Sequence, residues 1–236
     1  MPDPPAALER LAQRFGLPDA ATAQLERLLD LVAADPLAPT TVRDPVAALE
    51  IHVADALVGL ELDAVRQARR IADLGSGAGF PGLVLAAALP RAEMALVESS
   101  RRKCAFLERA VAAMGLGNAT VVCERAEAWR AGLGTQDVVT ARALASLNVL
   151  VEYAAPLLRE GGALVAWKGR RDEREEADGA AAAEQTGLVQ AEVRRVEPWD
   201  GAEHLYLHLY MKVGSTPNRF PRRPGMASKR PLQVST

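Results

Sequence analysis

Cysteine, histidine and aromatic residues are scarce in this chain: its 236 residues include 2 Cys, 3 His and 4% aromatics. Only two cysteines, Cys104 and Cys123, exclude a small disulfide-stapled scaffold. Three histidines without a Cys-x-x-Cys pair speak against a metal site, and none is expected. No apolar run reaches the roughly 18 residues that a membrane span needs. The opening Met1–Phe15 has early Pro and Asp and no apolar h-region, so it does not read as a secretory signal. A cytoplasmic protein without membrane contact is expected. Hydrophobic residues at 49% and charged residues at 25% exclude disorder throughout and allow one domain with a sizeable core.

The net charge of −2 conceals an asymmetry. After Glu203 there is no acidic residue, while Lys212, Arg219, Arg222, Arg223, Lys229 and Arg230 are all basic. The tail therefore carries +6 and the preceding chain −8. Such a split suits contact with a polyanion at one end, or a merely solvated basic tail.

Residues 1–60 read as a helical cap. Apolar residues at helical spacing mark Ala7–Phe15 and Thr22–Val32, with Asp19 as a plausible cap. Asp44-Pro45 reads as an N-cap with Pro at the first position of a helix running to about Leu57. From Arg69 the pattern changes. Strands are expected over Arg70–Leu74, Met94–Glu98, Thr120–Cys123, Asp137–Thr140 and Ala163–Trp167. The helices between and after them are expected over Gly82–Leu89, Arg101–Met114, Ser146–Leu158 and Arg171–Gln185. Repeated βα units predict an α/β domain over 61–214 with a parallel sheet covered on both faces. Leu188–Val196 and His204–Val213 have no helix between them and predict an antiparallel hairpin at the edge. In the second, Leu205, Leu207 and Leu209 are expected to pack, while His204, Tyr206 and His208 face elsewhere. Prolines from Pro217 onward predict a tail, 215–236, without regular structure.

The strongest motif is Asp73-Leu74-Gly75-Ser76-Gly77-Ala78-Gly79-Phe80-Pro81-Gly82, at the end of the first expected strand. Ligands of open α/β sheets bind beyond the carboxyl ends of the strands, where glycines let the backbone come close. Glu98 ends the next strand, placed to accept hydrogen bonds from ribose hydroxyls. Gly77-x-Gly79-x-x-Gly82 also matches the dinucleotide fingerprint. Two details oppose that reading. Asp73 repels a pyrophosphate but attracts a methionine ammonium, directly or through water, and Pro81 removes an N–H near the helix start. S-adenosylmethionine therefore fits better than a nucleotide cofactor or a purely structural turn.

The segment after the fourth strand, Thr140–Leu147, lacks the N/D-P-P-Y/F motif of many exocyclic-amine methyltransferases. Neither Cys104, on a helix, nor Cys123, at a strand end, lies in a Pro-Cys setting, and both read as core residues rather than nucleophiles. An acceptor that is already nucleophilic remains, such as guanine N7, which has a free lone pair and no proton to lose. Such a reaction needs positioning more than a general base. Arg142, at the strand end, is the candidate positioning residue for base, phosphate or cofactor.

These segments together resemble the small-subunit (16S) ribosomal RNA guanine-N7 methyltransferase family, RsmG/GidB, over roughly Pro36 to Leu232. The resemblance rests on TTVRDP at Thr40–Pro45, HVADAL at His52–Leu57, IADLGSGAGFPGLVLA at Ile71–Ala86 and ARALASL at Ala141–Leu147. WKG at Trp167–Gly169, HLYLHLYMKV at His204–Val213 and TPNRFPRRPGMASKRPL at Thr216–Leu232 complete it. It implies a class I, Rossmann-like S-adenosylmethionine-dependent fold. It implies cofactor contacts from Gly75 and its neighbours Gly77 and Gly79, from Phe80, from Glu98, and from Ala126 and Glu127 flanking the adenine. Arg142 matches the family's R-A-x-A-x-L arginine. One departure is visible: an Asn often present before the V-R-D-P segment is missing from Ala38-Pro39-Thr40-Thr41.

Within that resemblance, Arg43, His52 and Lys168 are candidates to meet RNA, with N-capping, a His52–Asp55 pair and plain solvation as the plainer readings. The basic tail reads as an RNA arm on the small ribosomal subunit, with Arg219, Arg222, Arg223, Lys229 and Arg230 on phosphate and Phe220 as a stacking face. Arg101, Arg102 and Lys103 read as a solvated face. A monomer is expected. A small-molecule methyltransferase and a non-catalytic nucleotide-binding protein remain the alternatives.

Overall fold

The computed structural model describes residues 4–234. Seven strands form one sheet: β1 (Arg70–Leu74), β2 (Glu93–Val97), β3 (Ala119–Val122), β4 (Gln136–Arg142), β5 (Leu158–Lys168), β6 (Leu188–Val196) and β7 (Leu205–Lys212). Their order is β3-β2-β1-β4-β5-β7-β6. The first five run parallel, and β7 pairs antiparallel with both β5 and β6. The chain order reverses between β1 and β4, which is where a ligand crevice opens in such sheets.

Side chains on β1, β4 and β5 alternate between two cores, as the period-two pleat requires. Ile71, Val138 and Val165 face one core with α1 (Pro4–Phe15), α2 (Asp19–Ala34), α6 (Gly82–Ala88) and α7 (Arg101–Met114). Ala72, Leu74, Val139 and Leu164 face the other, against α8 (Leu147–Ala154) and α9 (Glu173–Thr186). The N-terminal helices thus share a core with the sheet. α7 stops at Gly115, whose φ of +67° gives the left-handed C-cap.

Several expectations need correction. The helix opened by Asp44, whose Oδ1 accepts the Ala47 N–H, is not regular: α3 (Pro45–Ala48) runs into a π-helical turn, Leu49–Ala54, then α4 (Asp55–Leu57) and a 3₁₀ turn, Val58–Glu61, before α5 (Asp63–Arg66). His208 is 1% exposed rather than turned outward, because β7 is covered on both faces. Its Nδ1 and the Tyr210 hydroxyl lack hydrogen-bond partners among the described residues. Cys123 is exposed and forms a disulfide with the buried Cys104, their Cα atoms 5.8 Å apart. The tail carries α10 (Met226–Lys229) and packs on the domain. Asp19 begins α2 without capping it, and the helix expected over Ser146–Leu158 stops at Ala154, with β5 starting already at Leu158.

Candidate active site

The glycine loop leaves β1 under tight control. Gly75 N–H donates to the Val97 carbonyl at 2.8 Å, and Gly79 N–H to the Ser76 carbonyl at 2.6 Å. Gly75, at φ +67°, faces Leu144: a Cβ there lies 2.6 Å from Leu144 Cδ1. Gly79, at φ +92°, presses on Leu83. Gly77 also has positive φ, so three turns in this loop suit glycine. Asp73 lies under the loop, 1% exposed. Its Oδ1 accepts the Thr140 hydroxyl at 2.9 Å and its Oδ2 the Gly82 N–H at 3.2 Å. Burial pushes its carboxyl up to about 6. Asp73 therefore fixes the loop from beneath and does not line the clefts above.

Glu98 follows β2 and reaches back to the loop. Its Oε2 accepts the Gly77 N–H at 3.2 Å and its Oε1 the Ser100 N–H at 2.8 Å. A carboxylate has about four lone-pair sites, so capacity for two hydroxyls remains.

Arg142, at the end of β4, organises the other wall. It donates to the Ile51 carbonyl at 3.0 Å, to Asp55 Oδ2 at 2.6 Å and to His52 Nδ1 at 3.0 Å. All three partners sit on or beside the π-helical turn. Such turns recur at functional sites because the extra residue re-aims side chains. His52 and Asp55 thus meet through Arg142, not each other. His52 also stacks on Phe80, centroids 4.4 Å apart. Burial, then the Arg142 charge, pull its pKa down to about 4, so the ring is neutral near pH 7. Burial raises Asp55, and Arg142 opposes that rise.

Three clefts converge here. One, of about 320 Å³, is lined by Gly75, Glu98, Glu124–Glu127 and Tyr153. A second, of about 480 Å³, is lined by Thr40, His52, Gly75–Ala78, Phe80, Lys103 and Arg142. A third, of about 310 Å³, is lined by Ile51, Asp55, Arg142, Trp167, Lys168 and Trp199. Ala143 borders all three, and its φ of +53° is unusual outside glycine. Strained backbone of this kind clusters at functional sites. Thr40, Lys103 and Tyr153 are lining residues that sequence reasoning missed. Lys103, expected on a solvated face, borders two clefts and approaches Glu98 to 3.8 Å.

The remaining candidates fall in different places. Ala126 and Glu127 line the first cleft, and Glu127 Oε1 accepts the Gly225 N–H of the tail at 2.8 Å. Lys168 lines the third cleft while pairing with Glu175 at 2.6 Å. Arg43 lines none of the three clefts and donates to the Pro36 carbonyl within its own loop. In the tail, Phe220 is 7% exposed and offers no stacking face, a correction to the sequence reading. Arg222 forms a two-pronged ion pair with Glu152, which is 2% exposed. Arg219, Arg223, Lys229 and Arg230 stay exposed. Arg222→Ala is expected to lower unfolding stability by about 3 kcal/mol, since it strands a buried carboxylate. Chemical denaturation checks this; an unchanged midpoint would show the pair to be dispensable.

The reversed strand order, the edge hairpin and the glycine loop facing Glu98 define a class I methyltransferase of Rossmann-like fold. Solved structures share the fold alone. A S-adenosylmethionine-dependent methyltransferase from Aquifex aeolicus is 16% identical, with 72% of this chain and 94% of that one covered at a TM-score of 0.57. Fibrillarin from Aeropyrum pernix is 22% identical, with 67% and 73% covered at 0.53. The family described as GidB, rRNA small subunit methyltransferase G, matches residues 23–205, and the chain belongs to it. The relative named ribosomal RNA small subunit methyltransferase G from Chloroflexus aggregans is 40% identical over 89% of this chain and 90% of its own. Its namesake from Rubrobacter xylanophilus is also 40% identical, over 81% and 76%.

Proposed function

We propose that the protein transfers a methyl group from S-adenosylmethionine to N7 of one guanine in 16S ribosomal RNA of the small subunit. The meeting of three clefts at Arg142 and Ala143 carries this reading, because a donor and an acceptor can enter from different sides of one point. When bound, S-adenosylmethionine supplies a methyl group activated on a positively charged sulfur. The first cleft suits adenosine: Glu98 would accept from the ribose hydroxyls, and Ala126 and Glu127 would flank the base. Gly75, Gly77 and Gly79 would let the chain lie close to the cofactor, and Phe80 would meet it from the second cleft.

The third cleft suits the target nucleotide, with Trp167, Trp199 and Ile51 as apolar walls and Lys168 at its side. Arg142 holds the geometry, and no residue has to remove a proton, because N7 offers a lone pair. Methyl transfer would leave the sulfur neutral and the base positively charged, so the acceptor side would have to tolerate a new cation. Asp55 offsets the fixed charge of Arg142 beside that site. Among the described residues no group of three or more His, Cys, Asp or Glu is suited to hold a metal. No helix of the described residues is long and apolar enough to cross a membrane. The proposed setting is the cytoplasm, with the protein acting as a monomer.

The exposed cations of the tail, Arg219, Arg223, Lys229 and Arg230, are assigned to RNA phosphate. Changing all four to Gln is expected to raise KM for small subunits about tenfold or more and to flatten its salt dependence. Binding of S-adenosylhomocysteine stays unchanged. A small-molecule methyltransferase would show no change in either.

A further inference from the structure

The second cleft contains a hydroxyl whose hydrogen direction is fixed by its neighbours. Arg142 has no acceptor atom, so its contact with His52 Nδ1 at 3.0 Å makes that nitrogen the acceptor. A neutral imidazole then carries its proton on Nε2. Nε2–H lies 2.9 Å from Thr40 Oγ1 and donates to it. The Val42 N–H donates to the same oxygen at 3.1 Å. Both lone pairs of Thr40 Oγ1 are thereby engaged, and its own proton is left to donate.

The surroundings of that proton are rich in donors. The cleft Thr40 lines also holds Lys103 and Arg142, and its floor is the backbone of Gly75–Ala78. Arg142 has five N–H groups and places three on Ile51, Asp55 and His52, so two remain. Two cations, a hydroxyl proton and a glycine loop converge on one space, which suits an anion. The adenosine cleft is on one side of Ala143 and the acceptor groove on another. The anion that belongs between them is the carboxylate at the amino-acid end of the cofactor.

We infer that Thr40, carried in from the helical cap, binds the cofactor's carboxylate through its hydroxyl, as the last link of an Asp55–Arg142–His52–Thr40 hydrogen-bond chain. This inference rests on the proposed cofactor and adds the recognition of its amino-acid half. The cap thereby becomes part of the cofactor site. Val42, whose N–H orients the hydroxyl, and Arg43 belong to the same loop, which is why this loop and the π-helical turn must be placed together.

Two nucleosides separate the possibilities by calorimetric titration of the full chain. S-adenosylhomocysteine has the carboxylate, and 5′-methylthioadenosine lacks the whole amino-acid end. Thr40→Val is expected to weaken S-adenosylhomocysteine binding tenfold to a hundredfold, on the order of one charge-assisted hydrogen bond. It is expected to leave 5′-methylthioadenosine binding unchanged, which also reports that the site is folded. Thr40→Ser keeps a hydroxyl and is expected to restore most of the affinity. Thr40→Val with wild-type affinity for S-adenosylhomocysteine would overturn the inference, placing the hydroxyl against the acceptor instead. Equal weakening of both compounds would also overturn it, as a merely structural effect. Failure of the unmodified protein to bind either compound would instead remove the cofactor reading itself.

Discussion

Replacing Gly75 with Asp is expected to weaken S-adenosylhomocysteine binding by about a hundredfold or more. Three effects add. The backbone there has φ +67°, where a non-Gly residue costs about 1–2 kcal/mol. A Cβ would lie 2.6 Å from Leu144 Cδ1, at the rim of the first cleft, so either Leu144 or the loop must shift. A carboxylate would then stand where the backbone should approach the cofactor and would face Glu98 across the cleft. Gly75 N–H is bonded to the Val97 carbonyl, so displacing the loop also strains its join to β2. The backbone and steric costs also burden the unliganded fold, so thermal unfolding set beside the binding measurement separates the two. Undiminished binding measured by calorimetry would refute the assignment of the loop.

The second large effect is expected at Arg142. Arg142→Ala removes donors to Ile51, Asp55 and His52 together, at the strand end where the three clefts meet. Misplacement of reacting groups by about 1 Å can cost roughly a hundredfold in rate, and turnover is expected to fall at least that far. Asp55, 8% exposed and raised by burial, loses the charge that opposes the rise and becomes easier to protonate. Folding should suffer less, because an Asp55 that binds a proton no longer buries a charge. Arg142→Lys should not restore activity, since one ammonium cannot span the three partners that the guanidinium fork reaches. Steady-state turnover on small subunits, set beside thermal unfolding, checks both halves. Wild-type turnover in Arg142→Ala would remove the role given to this residue.

Much of the fold could be read from local pattern, and the reason lies in particular residues. β1 and α7 match their expected bounds because Ile71–Leu74, apolar but for Asp73, runs straight into the glycine loop and Gly115 supplies a clear stop. The edge hairpin followed from two strand-like segments without a helix between them. The cofactor loop was visible because glycine at fixed offsets has few other uses. Features set by distant partners were not visible. The π-helical turn leaves no mark on apolar spacing, since one extra residue is absorbed within the helix. The link of His52 to Asp55 passes through Arg142, 87 residues beyond Asp55. Spacing did not reveal that Cys104 and Cys123, 19 residues apart, form a pair. The tail was misread where charge and aromaticity were taken at face value: Arg222 answers a buried Glu152, and Phe220 packs inward. Sequence charge counts residues, whereas only Arg219, Arg223, Lys229 and Arg230 remain available at the tail's surface.

The central claim is the transfer of a methyl group to guanine N7 in small-subunit ribosomal RNA. Its most direct test uses small subunits from a strain lacking this enzyme, incubated with methyl-labelled S-adenosylmethionine and the purified protein. The RNA is then cleaved chemically at N7-methylguanine. Label in 16S RNA together with a single new cleavage site is the predicted result. Label without cleavage would contradict the N7 assignment while keeping a methyltransferase. No label, with S-adenosylhomocysteine still bound by the protein, would contradict the RNA substrate.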